Sequence, residues 1–107
     1  MHMATNNSLK ELQQKVDDWI MSHGGYWPPL AMLSAIMEEV GEVAREINYY
    51  EGFKPKKNKE KQLKLGEELA DLLFSLICIA NYYKINLSNE FDGALTKYLE
   101  RDSTRFL

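Results

Sequence analysis

Two short acidic runs hold the residues of this chain that can do chemistry. One is Glu38-Glu39-Val40-Gly41-Glu42 and the other Glu67-Glu68-Leu69-Ala70-Asp71. Glu39 and Glu42 stand three residues apart, and so do Glu68 and Asp71. On a helix that spacing puts each pair on one face, with Cβ atoms about 5–6 Å apart. If two such helices lie side by side, four carboxylates converge. Four anions in one place repel, so the arrangement calls for a cation. Oxygen-only donors suit Mg²⁺, Mn²⁺ or Ca²⁺ rather than zinc. For any one of these acids alone, a structural salt bridge is the plainer role.

Asp71 sharpens the reading. From Leu69 to Ala80 only Asp71 and Ser75 are polar. A helix apolar on all sides is expected to be central and buried. A buried carboxylate must be protonated, paired or bound to a metal. With Glu68 on the same stripe, and Glu38, Glu39 and Glu42 on the facing helix, a metal is the expected partner.

Helices must position these acids. Alternating β-branched runs and Asn-Gly hairpin turns are absent from the sequence. Helix one is predicted from about Ser8, as cap, to Met21, with Leu9, Leu12, Val16, Trp19 and Ile20 at helical spacing. His23-Gly24-Gly25 ends it, and His23 is expected to be an exposed loop residue, not a ligand. Helix two is predicted from Pro29 to about Tyr50. Its Glu38, Glu42 and Glu46 form successive i,i+4 like-charge pairs, each costing roughly 0.2–0.5 kcal/mol. Arg45 offsets only part of this, so helix two is expected to bind something positive.

Residues 51–60 form a basic connecting loop around Gly52 and Pro55, most of whose lysines are expected to be solvated. Helix three is predicted from about Lys59 to Tyr83, with Lys64 four residues before Glu68 on the same stripe. Helix four is predicted from a Ser88 cap to about Asp102. Lys97 and Arg101 are i,i+4 neighbours there. By spacing alone they are a solvated face or cations favoured by the helix dipole.

Composition sets limits. A chain of 107 residues suits one domain with one core. Its net charge of −3 gives no global electrostatic case for binding nucleic acid. The single cysteine, Cys78, excludes an intramolecular disulfide framework. Residues 1–7 lack the basic and apolar regions of a signal peptide and are expected to be disordered. The apolar run of helix three is too short to span a bilayer and is interrupted by Asp71. No membrane partner is expected, and a cytoplasmic protein is the default.

Glu38-Glu39-x-x-Glu42, followed after 25 intervening residues by Glu68-x-x-Asp71, resembles the EExxE…ExxD signature of the MazG family. The Pro-Leu-Ala-Met stretch, the Lys-Pro-Lys-Lys loop and the apolar run after Asp71 look like its small single-domain members. The resemblance covers roughly Leu9 to Arg101. It implies an all-α nucleoside triphosphate pyrophosphohydrolase that yields a monophosphate and pyrophosphate. Glu39, Glu42, Glu68 and Asp71 would be Mg²⁺ ligands, with Mn²⁺ a possible substitute. Glu38 would be an outer or second-metal carboxylate, or would orient the attacking water. Lys64, Lys97 and Arg101 match positions that hold the substrate's phosphates. Glu67 has no such role and is expected to face solvent. Trp19, Tyr26, Trp27 and Asn81 are candidates for the base pocket, although packing in the bundle is the plainer role for each of the three rings.

The expected architecture is an antiparallel four-helix bundle that oligomerises through the apolar helix three. The resemblance implies a homodimer or homotetramer in which Lys97 or Arg101 can come from a neighbouring subunit. Two other functions fit a helical chain. A di-iron carboxylate protein would add Glu-x-x-His motifs, which His2 and His23 do not supply. A non-catalytic nucleotide- or metal-binding interaction module would not require every acidic position to be present.

Overall fold

The computed structural model describes residues 7–52 and 63–105, with side chains to residue 102. Among the described residues there are four helices and no strand: α1 Leu9–Met21, α2 Pro29–Tyr50, α3 Leu65–Tyr82 and α4 Leu87–Arg105. The first two match their predicted spans. Ser8 caps α1 reciprocally. Glu11 N–H donates to Ser8 Oγ at 3.1 Å, and Ser8 N–H donates to Glu11 Oε1 at 3.0 Å. Gly24, at φ 101°, closes α1, with Gly25 N–H donating to the Ile20 carbonyl. Asn7 is placed, accepting from Lys15 Nζ at 2.8 Å. The other residues expected to be disordered, 1–6, lie outside the described residues.

The later boundaries move. Helix three begins at Leu65, because Lys64 has non-helical backbone angles of φ −123° and ψ 28°. The expected start at Lys59, like most of the basic loop, lies outside the described residues. Helix four begins one residue before Ser88, because Asn86 is the cap: Asn89 N–H donates to its Oδ1 at 3.1 Å. It runs on to Arg105, past the predicted end near Asp102.

Most tertiary packing is the α2–α3 pair, with α1 laid on α3 and α4 on α1. One side chain ties three helices together. Gln13 Nε2, on α1, donates to Asn81 Oδ1 at 2.8 Å on α3 and to the Ile85 carbonyl at 2.9 Å. Gln13 Oε1 accepts Leu87 N–H at 3.0 Å, at the start of α4. Asn81 Nδ2 returns a bond to the Gln13 carbonyl at 2.9 Å.

Among the described residues, the buried apolar ones are Met32, Ile77, Cys78 and Ala80, all at the α2–α3 contact or the end of α3. Helix α3, expected to be central and buried, is only partly covered within one chain. In one chain, Leu73 of α3 and Phe91 of α4 remain 43 % and 61 % exposed. Because α4 sits on α1, it leaves the far side of α3 uncovered. No described helix is long and apolar enough to cross a membrane.

Lys84 ends α3 in the left-handed region at φ 59°. Lys84 N–H donates to the Asn81 carbonyl, and Ile85 N–H donates to that of Ala80 at 2.8 Å. A Cβ at that φ is strained. Lys84→Gly is therefore expected to stabilise the chain by about 0.5–1 kcal/mol, the relief of left-handed strain exceeding the added unfolded-state freedom. Urea unfolding monitored by helicity checks this.

Candidate metal centre and adjoining cavity

The α2–α3 seam is a ladder of facing residues. Glu39 lies opposite Glu68 and Asp71, and each of the three offers a carboxylate oxygen within 4.8 Å of the others. The seam therefore brings together three of the four expected ligands. Glu42 is turned aside, its Oε1 3.0 Å from Arg45 Nη2. Its charge still reaches the group: partial burial, then the carboxylates of Glu42, Asp71 and Glu39, push the Glu68 carboxyl above its ordinary range. Glu38 is exposed on α2 and lies outside the group, and Glu67 faces solvent as expected.

Asp71 corrects the burial argument. It is exposed in the single chain although it faces Glu39 across the seam. Glu39 is where burial acts. Its Oε2 is shut off from solvent and has no hydrogen-bond partner. A sequestered carboxylate oxygen without a donor is costly. Three converging oxygen donors, one of them orphaned, fit a hard divalent cation such as Mg²⁺ or Mn²⁺. Among the described residues, the group contains no histidine, so it lacks the mixed ligation of di-iron sites.

Glu46 also departs from its reading as one of a run of unrelieved like charges. It is 6 % exposed, and its Oε1 accepts Lys64 N–H at 2.5 Å. Lys64 is thus at the very start of α3, one turn before Glu68, with its side chain exposed. Lys97 and Arg101 are not brought to the seam. They flank the Tyr98 ring of α4, with Lys97 Nζ 5.3 Å and Arg101 Cζ 4.7 Å from its centroid.

A cavity of about 430 Å³ adjoins the carboxylates. Ala35 and Ser75 line it, and each is one helical turn from a ligand candidate, Glu39 and Asp71 respectively. Its aromatic wall is Trp19, Tyr26, Trp27 and Phe74. Trp19 meets Phe74 edge-on at 6.1 Å and stacks on His23 at 4.2 Å. His23 Nδ1 lies 2.7 Å from the Trp19 carbonyl, which can only accept, so this nitrogen carries the proton. The Tyr26 hydroxyl donates to Asp17. Burial, then that bond, pushes its pKa up to about 12, so Tyr26 offers the cavity a neutral ring.

Of the base-pocket candidates, Trp19, Tyr26 and Trp27 line this cavity, whereas Asn81 belongs to the Gln13 network. Sequence reasoning missed His23, Phe74 and Glu46. The Trp19–His23 stack had a signal, the i,i+4 spacing; the Glu46–Lys64 bond had none, because it joins a side chain to a distant backbone amide.

Helices alone, presenting carboxylates across one antiparallel pair beside an aromatic cavity, define an all-α protein built around an acidic, cation-sized site. Residues 28–106 match the MazG nucleotide pyrophosphohydrolase domain, and the chain belongs to that family. It is 40 % identical over 103 residues to YpjD, an uncharacterized protein of Bacillus subtilis (strain 168), covering 95 % of this chain and 93 % of that one. The crystal structure of B. subtilis YpjD superposes with a TM-score of 0.79, covering 89 % of this chain and 98 % of that one. The Bacillus-conserved MazG protein, described as a nucleotide pyrophosphohydrolase, is 35 % identical with a TM-score of 0.75, covering 89 % and 93 %.

The raised Glu68 pKa has a stability consequence. Without metal, the folded chain holds this proton more tightly than the unfolded chain. Stability linked to it is present in acid and is lost as pH rises through the folded-state value. At pH 7 in chelator, Glu68→Gln is expected to raise the Tm above that of the wild type and to abolish the rise caused by added Mg²⁺. Thermal melts with and without Mg²⁺ read both effects.

Proposed function

We propose that the chain hydrolyses a nucleoside or deoxynucleoside triphosphate to the monophosphate and pyrophosphate, in clearance of the nucleotide pool. One observation carries this reading: the Glu39, Glu68 and Asp71 oxygens converge with Glu39 Oε2 buried and unpartnered. These three would hold Mg²⁺ or Mn²⁺, with Glu42 joining once released from Arg45. When bound, such an ion supplies positive charge against the triphosphate. Glu38, exposed beside the group, would orient the water that attacks the α-phosphorus. Attack there breaks the bond between the α-phosphorus and the bridging oxygen, and pyrophosphate leaves. Lys64, at the start of α3, would hold phosphate oxygens.

The aromatic cavity is the natural seat for the base. Its volume lies within the usual range for small-molecule sites, about 300–1,000 Å³. Trp19, Tyr26, Trp27 and Phe74 offer flat apolar faces. With the base there and the phosphates at the carboxylates, the nucleotide lies along the α2–α3 seam.

The remaining phosphate ligands, Lys97 and Arg101, point to an assembly. Helix α4 packs on α1 in its own chain, away from the seam, and α3 and α4 both keep large apolar side chains exposed. A homodimer or homotetramer that covers α3 would bring α4 of one subunit to the seam of another. The cytoplasm, where nucleoside triphosphates are held, is the proposed location.

Pyrophosphate release from a panel of ribo-, deoxyribo- and modified triphosphates tests the reaction. Mg²⁺-dependent release with matching monophosphate is the expected outcome. No release from folded, Mg²⁺-binding protein would favour a non-catalytic module. Glu39→Gln and Asp71→Asn are each expected to lower kcat by at least about 100-fold with helicity unchanged, since each removes charge aimed at the transition state. Glu39→Gln and Lys97→Ala, each inactive alone, are expected to recover activity when mixed and re-equilibrated. Recovery requires one intact site built from two chains, and its absence would restrict the site to a single chain.

A further inference from the structure

Three carboxylates that converge within 4.8 Å push the helices carrying them apart. Something else must hold α2 and α3 in register at that level. On one side of the group this is apolar packing. Met32 precedes Glu39 by seven residues and Cys78 follows Asp71 by seven, and both are buried. Each lies about 10 Å along the seam from the acidic level, at 1.5 Å per residue.

On the other side, no buried apolar residue is found among the described residues. Seven residues past Glu39, on the same face of α2, stands Glu46, 6 % exposed. Its Oε1 accepts Lys64 N–H, seven residues before Asp71. Helix α3 has no side-chain cap of its own, since Lys64 occupies the cap position and cannot accept a hydrogen bond. Glu46 therefore serves as the cap from across the seam. Its negative charge sits at the positive end of the α3 dipole, where a carboxylate is favoured.

We infer that Glu46 is a positioning residue for the metal centre: by capping α3 from α2, it fixes the register that holds Glu68 and Asp71 opposite Glu39. The inference rests on the proposed metal centre. The acidic level is thus fastened at both ends, by core packing on one side and by one buried acceptor on the other. The geometry of the ligands depends on Glu46 through the register it sets.

Mn²⁺ binding to the full chain, read from the loss of the free-ion electron paramagnetic resonance signal, tests this without turnover. Glu46→Ala is expected to weaken Mn²⁺ binding by about 10-fold or more, the usual scale for losing an outer-shell support. Glu46→Gln keeps an oxygen acceptor for Lys64 N–H and is expected to bind like the wild type. Amide exchange at Lys64 should be faster in Glu46→Ala and unchanged in Glu46→Gln. Should Glu46→Ala not fold, Glu46→Asp keeps the charge, retracts the acceptor and takes its place in the comparison. Wild-type affinity in Glu46→Ala, or in Glu46→Asp where that stands in, would overturn the positioning role alone. So would equal weakening in Glu46→Gln, which would make the charge and not the acceptor responsible. A wild type that binds no Mn²⁺ would overturn the metal centre itself.

Discussion

Mutual repulsion among carboxylates is the constraint around which this chain is built. The α2–α3 contact is its main tertiary interface, yet the middle of that interface is acidic. Among the described residues, the buried apolar side chains Met32, Ile77, Cys78 and Ala80 lie toward one end. Between the fastened ends, Glu39, Glu68 and Asp71 are held closer than they would settle unaided. The strain is local and visible in two ways: a raised Glu68 pKa, and a Glu39 oxygen with no donor. An acidic group of this kind is unfavourable until a cation fills it, and any affinity for the cation would derive partly from that.

The outer helices answer to a different logic. Helix α1 lies on α3 and furnishes Gln13, whose amide links the end of α3 to the start of α4. Helix α4 has little other purchase on its own chain, and its apolar residues are left uncovered. The α2–α3 pair is thus a self-contained frame for the acidic group. The α1–α4 pair presents cationic and apolar side chains outward. An exposed Asp71 makes sense in those terms, because the uncovered side of α3 is the approach to the site.

Much of this was legible in the sequence, for identifiable reasons. Helical periodicity and the Pro and Gly punctuation marked the spans of α1 and α2. Acid spacing marked Glu39, Glu68 and Asp71, because i,i+3 geometry is a property of one helix. What spacing alone left open depended on partners, within a helix or across helices. Glu42 satisfies the same spacing, but Arg45 three residues on captures it. Asp71 sits in an apolar run, but apolar sequence predicts burial only where something covers it. Glu46 resembles its acidic neighbours in sequence, and only the placement of Lys64 N–H separates it from them. Asn86 displaced Ser88 as the α4 cap, since two capping residues two apart cannot be ranked without the preceding turn.

The position of the aromatic cavity relative to the carboxylates has a further consequence. Both lie on the same seam, offset by one helical turn, or about 5 Å. The offset between these backbone positions is set by helix geometry. The seam therefore acts as a fixed gauge. On the proposed function, a compound would occupy both ends only if a spacer of suitable length joined its flat ring to its charged end. A free base or a bare polyphosphate would fill one end and leave the other in water. Such selection by span would act before any hydrogen bond to the ring is made.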